Sequence, residues 1–262
     1  MQSNILIYLE MKSIFNISHL VLYLMLLGSM NVSCKKNNSS EMNISQKELQ
    51  LLSKVDLPFT EPSGLAFSET MQKMWVVSGG TQYIYMLDTL GNIEKRLNYK
   101  GTDLEGIAFD VKDSTLWIID EATKEIVHLD LDGNVLLRKA EFYSSMPNKG
   151  PEGITIGKDH TIYFINERDP SVLFELDSTY AIVRSYPLNF ALDYSDVSYN
   201  PATDTFWILS DESNAFFNWS KQQGVIDKYL LPNSKNEGIA FDRTRNVFFI
   251  VNVATAQLYF YR

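Results

Sequence analysis

Gly101-Thr102-Asp103-Leu104-Glu105-Gly106-Ile107-Ala108-Phe109-Asp110 sets the organisation of this chain, because the sequence returns to it in altered form four more times. Glu61-Pro62-Ser63-Gly64-Leu65-Ala66-Phe67 precedes it. Gly150-Pro151-Glu152-Gly153-Ile154-Thr155-Ile156, Asp193-Tyr194-Ser195-Asp196-Val197-Ser198-Tyr199 and Asn236-Glu237-Gly238-Ile239-Ala240-Phe241 follow. Aligned on the residue before the glycine, the copies stand at 63, 105, 152, 195 and 237, in steps of 42, 47, 43 and 42 residues. A period near forty implies a repeat architecture.

Each repeat carries four short runs with turn residues between them. The run after the glycine (Leu65-Ala66-Phe67, Ile107-Ala108-Phe109) leads through a polar turn to a β-branched and aromatic run. Examples are Met74-Trp75-Val76-Val77, Leu116-Trp117-Ile118-Ile119 and Phe206-Trp207-Ile208-Leu209. A third run, such as Tyr83 to Leu87, meets a glycine turn (Leu90-Gly91-Asn92), and an amphipathic fourth run closes the unit. Four strands every 40 to 45 residues or so describe a propeller blade. The fold predicted is all-β: a five-bladed propeller of four-stranded antiparallel blades.

The fifth repeat stops at its third strand, Gln257–Tyr261, while Leu51–Leu57 reads as a fourth strand with no first three. The N-terminal strand is therefore expected to complete the last blade, leaving no open radial edge.

Residues 1–33 belong to another class. The apolar run Leu20–Leu27, with Lys12 before it and Gly28 to Ser33 after it, has the layout of a signal peptide. Met11-Lys12 makes a more usual start than Met1. Cys34 is the only cysteine, so no intrachain disulfide can form. Its place resembles the lipobox of bacterial lipoproteins, except that Asn31 stands where an apolar residue is usual. A secreted protein with one free thiol is the plainer alternative. The reading placed first is a lipidated Cys34, a flexible tether over 34–47 and a propeller over 48–262, monomeric and anchored to a membrane of the cell envelope. A net charge of −9 argues against nucleic acid as a partner.

In a propeller the first strand of each blade begins, and the second ends, near one face of the axis. That brings Ser63, Glu105, Glu152, Ser195 and Glu237 towards Ser78, Asp120, Asn166, Ser210 and Asn252, with Glu121, Glu167, Asp211 and Glu212 beside them. One mouth of the channel should be strongly acidic. Such a rim suits Ca²⁺, which takes six to eight oxygen ligands. The candidate ligands are Glu105, Glu152, Glu237, Asp120 and Asp211. A purely structural alternative has these glutamates accepting backbone N–H bonds from neighbouring blades, with Lys149, Arg168 and Lys235 neutralising the rest. Nucleophilic chemistry has little support: His19 lies in the leader, His128 within a strand and His160 in a turn, and no Gly-x-Ser-x-Gly elbow occurs. Trp75, Trp117 and Trp207 share one register and read as core between blades; Trp219 lies off it and reads as an exposed strand residue or one with another role.

Several blocks together resemble the SdiA-regulated (YjiK-like) family of bacterial propeller proteins. They are Glu-Pro-Ser-Gly-Leu at 61–65, Asp-Leu-Glu-Gly-Ile-Ala at 103–108, Trp-Ile-Ile-Asp-Glu at 117–121, Asn-Lys-Gly-Pro-Glu-Gly-Ile at 148–154, Asn-Glu-Arg at 166–168, Trp-Ile-Leu-Ser-Asp-Glu-Ser at 207–213 and Glu-Gly-Ile-Ala-Phe-Asp at 237–242. Asn252-Val253 departs from the acidic pattern. The resemblance implies a propeller at a bacterial envelope and carries no activity with it. Two functions are weighed: a non-enzymatic protein binding a small molecule or protein at the acidic rim, and a metal-dependent hydrolase of phytase-like or lactonase-like type. Cys34→Ser should move the protein out of the membrane fraction and block removal of the leader; unchanged fractionation and mass would overturn lipidation.

Overall fold

Short strands separated by polar turns become five antiparallel sheets in the computed structural model, which describes residues 44–140 and 150–262. Pro62–Ser68, Lys73–Ser78, Tyr83–Asp88 and Ile93–Lys100 make the first blade. Leu104–Asp110, Thr115–Asp120, Glu125–Leu129 and Val135–Ala140 make the second. The third holds Pro151–Ile156, Ile162–Asn166, Val172–Leu176 and Ile182–Pro187. The fourth holds Asp196–Asn200, Thr205–Ser210, Ala215–Ser220 and Gly224–Leu230. Asn236–Asp242, Val247–Asn252 and Gln257–Tyr261 open the fifth, and Leu51–Asp56 completes it.

Position within the blade explains the residue pattern. Second strands lie inside a sheet with a blade packed on either face, so Thr115–Asp120 and Thr205–Ser210 are buried along their whole length and read as unbroken apolar runs. Fourth strands lie at the rim, and in Ile93–Lys100 only Leu97 and Tyr99 turn inward. The third-to-fourth hairpins repeat one device. Asp88 Oδ1 accepts the amides of Leu90 and Asn92 at 2.8 and 2.9 Å, and Asp130 Oδ1 those of Asp132 and Asn134 at 2.9 and 2.8 Å. Gly91 and Gly133, at φ 87° and 89°, make the left-handed step such turns require.

The ring closes as the sequence requires. Leu51 pairs with Tyr261 and Asp56 with Gln257, and Gln50 and Arg262 exchange backbone hydrogen bonds of 2.7 and 2.9 Å. Five apolar clusters fill the five gaps between blades, one of them joining Met74 and Leu87 of the first blade to Val247 and Phe249 of the last.

The structure adds to the sequence reading at three places. Ser45–Lys47, placed above in the tether, runs parallel to Asp227–Tyr229 and gives the fourth blade a fifth strand. Trp219 is buried between the third and fourth blades, against Tyr186 and Phe206, and is core like the other three tryptophans. His128 is half-buried, stacked on Trp117 at 4.1 Å with Nε2 2.7 Å from Thr115 Oγ1. The leader, Cys34 and Lys149 lie outside the described residues.

Removing residues 48–58 should strip the last blade of its outer strand and expose the edge of Gln257–Tyr261. Aggregation by light scattering, or a large drop in melting temperature, is expected; a truncated protein that melts like the intact one would overturn this closure.

Candidate functional site

The residue–glycine pair that opens four of the five repeats sits at a β-bulge. The register of the first two strands shifts between Pro62 and Leu65, Leu104 and Ile107, Pro151 and Ile154, and Asn236 and Gly238. The bulge re-aims the residue before each glycine, and Ser63, Glu105, Glu152 and Glu237 all line a cavity at one end of the axis. Glycine is required beside it. A Cβ on Gly64 would lie 2.3 Å from the carbonyl oxygen of Glu105, one on Gly106 2.3 Å from that of Glu152, and one on Gly238 2.2 Å from that of Ser63. First strands of neighbouring blades therefore touch backbone to backbone at this level.

The fourth blade breaks the pattern. Asp196 stands in the glycine place and its strand pair has no bulge. Its carboxyl group is fully buried, taking backbone N–H bonds from Val197 at 2.8 Å, from Ile239 of the fifth blade at 2.8 Å and from Leu65 of the first. Asp196 bolts three blades together at the waist of the channel. Burial pushes its pKa well above the usual carboxylate range despite these donors.

The acidic cavity is about 430 Å³, lined by ten carboxyl groups and two cations. The polar residues that end the second strands do not face it. Ser78, Asp120, Asn166, Ser210 and Asn252 are all buried and grip loop backbone instead: Asp120, for example, accepts the amides of Thr102 and Asp103 at 2.8 and 3.0 Å, and Asn252 Nδ2 donates to the Ser234 carbonyl at 2.7 Å. The two sets meet at one end of the axis, but only the first lines the cavity, joined by the acids after the second strands and by Glu61, Asp103 and Asp193 from the segments that lead into the first strands.

Charge in the cavity is lopsided. Lys235 pairs with Asp211 at 2.6 Å, and Arg168 joins Glu167 to Glu212, the latter at 2.9 Å. Both cations thus serve the third and fourth blades. Asp103, Glu105 and Glu121, from the second blade, offer carboxylate oxygens within 4.8 Å of one another with no cation between them. Glu105 takes one hydrogen bond, from Ser63 Oγ at 2.6 Å, and Glu121 takes the Gly150 amide at 2.9 Å. Among the described residues no backbone N–H reaches the carboxyl groups of Glu105, Glu152 or Glu237. Burial, helped by the neighbouring acids, raises Glu105 to about 7 and Glu237 to about 8, and pushes Glu152 well above its ordinary value.

Of the five residues singled out in the sequence, Glu105, Glu152 and Glu237 share the floor of the cavity; Asp211 lines it with Lys235 as partner, and Asp120 is turned away from it. Asp103 and Glu121 complete the tightest acid group. His128 and His160 belong elsewhere, the second held by Asp110 at 2.8 Å.

Fold and site together define a five-bladed propeller with an acidic mouth on its axis. The sequence profile of the family described as SdiA-regulated matches residues 37–252, and the chain belongs to that family. The glutaminyl cyclase of Myxococcus xanthus is similar in structure at 11% identity and a TM-score of 0.67, over 84% of this chain and 97% of that one. A streptogramin B lyase is similar at 20% identity and a TM-score of 0.50, over 80% and 68%. At these identities the likeness is one of fold. No curated protein matches the chain.

Glu105 and Glu237 hold protons in the folded state that the unfolded chain releases near 4.5. Their contribution to stability is greatest below that value, falls as pH rises towards 7 and 8, and levels off beyond, at about 1.4 kcal/mol per pH unit for each proton. A Glu105→Gln, Glu237→Gln double variant should lose this decline and melt higher than the parent at pH 8 without added cations. Parallel melting curves from pH 5 to 8 would overturn these shifts.

Proposed function

We propose that the protein is an envelope-anchored lipoprotein whose propeller binds a divalent cation, with Ca²⁺ the best match, at the acidic mouth of its axis, and through it a small molecule or protein partner. The reading is non-enzymatic. The observation that carries it is the group Asp103, Glu105 and Glu121, whose oxygens lie within 4.8 Å of one another in the cavity that Glu152 and Glu237 also line. Ligand oxygens 2.3–2.6 Å or so from one ion stand at most about 5 Å apart, so the group fits a shared cation. The donors are all hard oxygens, which suit Ca²⁺ and disfavour softer metals. Holding these carboxyl groups together without an ion raises the pKa of each; a cation would oppose that shift and favour the ionised form of all three. Glutamates used only as scaffold would be expected to accept backbone N–H groups, as Asp120 and Asp196 do.

Calcium at a hundred times its dissociation constant should add about 2.7 kcal/mol to stability, a shift visible in a melt. The gain should be larger at pH 8 than at pH 6, because fewer protons then compete. Glu105→Gln should abolish it and Glu152→Gln should weaken or abolish it, and either variant should be at least as stable as the parent without calcium. No change in melting temperature and no calorimetric heat with millimolar Ca²⁺ would remove the proposal.

A further inference from the structure

The axis has a second cavity, of about 420 Å³, which shares no lining residue with the acidic one. Asp196, fully buried between them, closes the waist. Three residues beyond each glycine place, every blade contributes one bulky side chain to this second well: Phe67, Phe109, Ile156, Tyr199 and Phe241. Each is the partly buried member of a different interblade cluster, so each keeps one face against the core and leaves the rest open to the well. The rings are fixed from behind. Phe109 stacks on Trp75 at 4.8 Å, Phe241 on Phe248 at 4.6 Å, and the Tyr199 hydroxyl donates to Asp204 at 2.9 Å.

We propose that this well is a binding site for one small neutral molecule with an aromatic ring and a single hydroxyl or carbonyl group. Its volume falls in the range of about 300–1,000 Å³ usual for ligand pockets, and four aromatic side chains around an axis offer edges and faces to a flat ring from several sides. Charge at the mouth is mixed in sign: Arg243 binds Glu69 at 2.7 Å, His160 contacts Asp110 at 2.8 Å, and Lys158 and Asp159 add one charge of each sign. Neither an anion nor a cation would find a ring of charge of one sign there, in contrast to the acidic end. The Ser198 hydroxyl lines the well and has no hydrogen-bond partner among the described residues. Set in the first strand of its blade beside Tyr199, it supplies a polar contact that would orient the ligand.

The probe is 1-naphthol, titrated into the purified protein by calorimetry, with naphthalene-1-sulfonate as its charged counterpart. Saturable binding of one naphthol per chain is expected, with the sulfonate weaker. Ile156→Trp, which fills the well, should weaken naphthol at least about tenfold, and Ser198→Ala, a small change to the fold, about fivefold through loss of one hydrogen bond. Glu152→Gln, at the other end of the axis, should leave naphthol binding as it was. No saturable heat at millimolar naphthol, or the same affinity in both Ile156→Trp and Ser198→Ala, would overturn the site.

Discussion

Close backbone contact between first strands is the constraint on which the molecule rests. Five strands meet around one axis, and a single Cβ at Gly64, Gly106 or Gly238 would fall within 2.3 Å of a neighbouring carbonyl oxygen. Omitting the side chain lets the ring tighten until the apolar faces of adjacent blades meet, and the five interblade clusters follow from that. The same tightness brings the residue before each glycine close to its counterparts. Where that residue is glutamate, like charges are crowded together in a place with little water. The fold thus makes an acidic mouth out of the step that allows it to close, and burial raises the carboxyl pKa values of Glu105 and Glu237 there.

Asp196 shows how one departure from a repeat acquires a role. A fifth glycine would have preserved the symmetry; an aspartate in its place fills the waist and takes N–H groups from three blades. Two wells of unlike character lie on either side of it. Polar loops and bulges shape the upper one, whereas aromatic side chains anchored in the interblade core shape the lower.

Much of this was legible in the sequence, because strands repeated at an even step leave few alternatives. The period, the missing fourth strand of the last repeat and the spare strand at 51–57 are properties of the chain as a string, and the ring follows from counting them. The end of the axis occupied by Glu105, Glu152 and Glu237 was legible for the same reason. Which way each acid points was not. Asp120 and Glu121 are neighbours in one run, yet the first grips the amides of Thr102 and Asp103 and the second faces the cavity. Alternation along a strand predicts that they differ; only the path of the loop over them decides which is which. Ser45–Lys47 was hidden because its partner supplies backbone bonds, which polar residues accept as readily as apolar ones. The Asp at position 196 was a signal in plain view, the one copy of five without glycine, and the lower ring stood at a fixed offset from it.

Ring closure also dictates an order of events during synthesis. Gln257 bonds Asp56 at 2.6 Å across 201 positions of sequence. Leu51–Asp56 leaves the ribosome before any blade exists, and the edge it pairs with leaves after the other four blades have been made. Until then that strand has no native partner and the first and fifth blades have no shared core, so the nascent chain is an open arc with two unsealed ends. Contacts of such long range are slow to form, and the final docking is a single late step on which the completed ring depends.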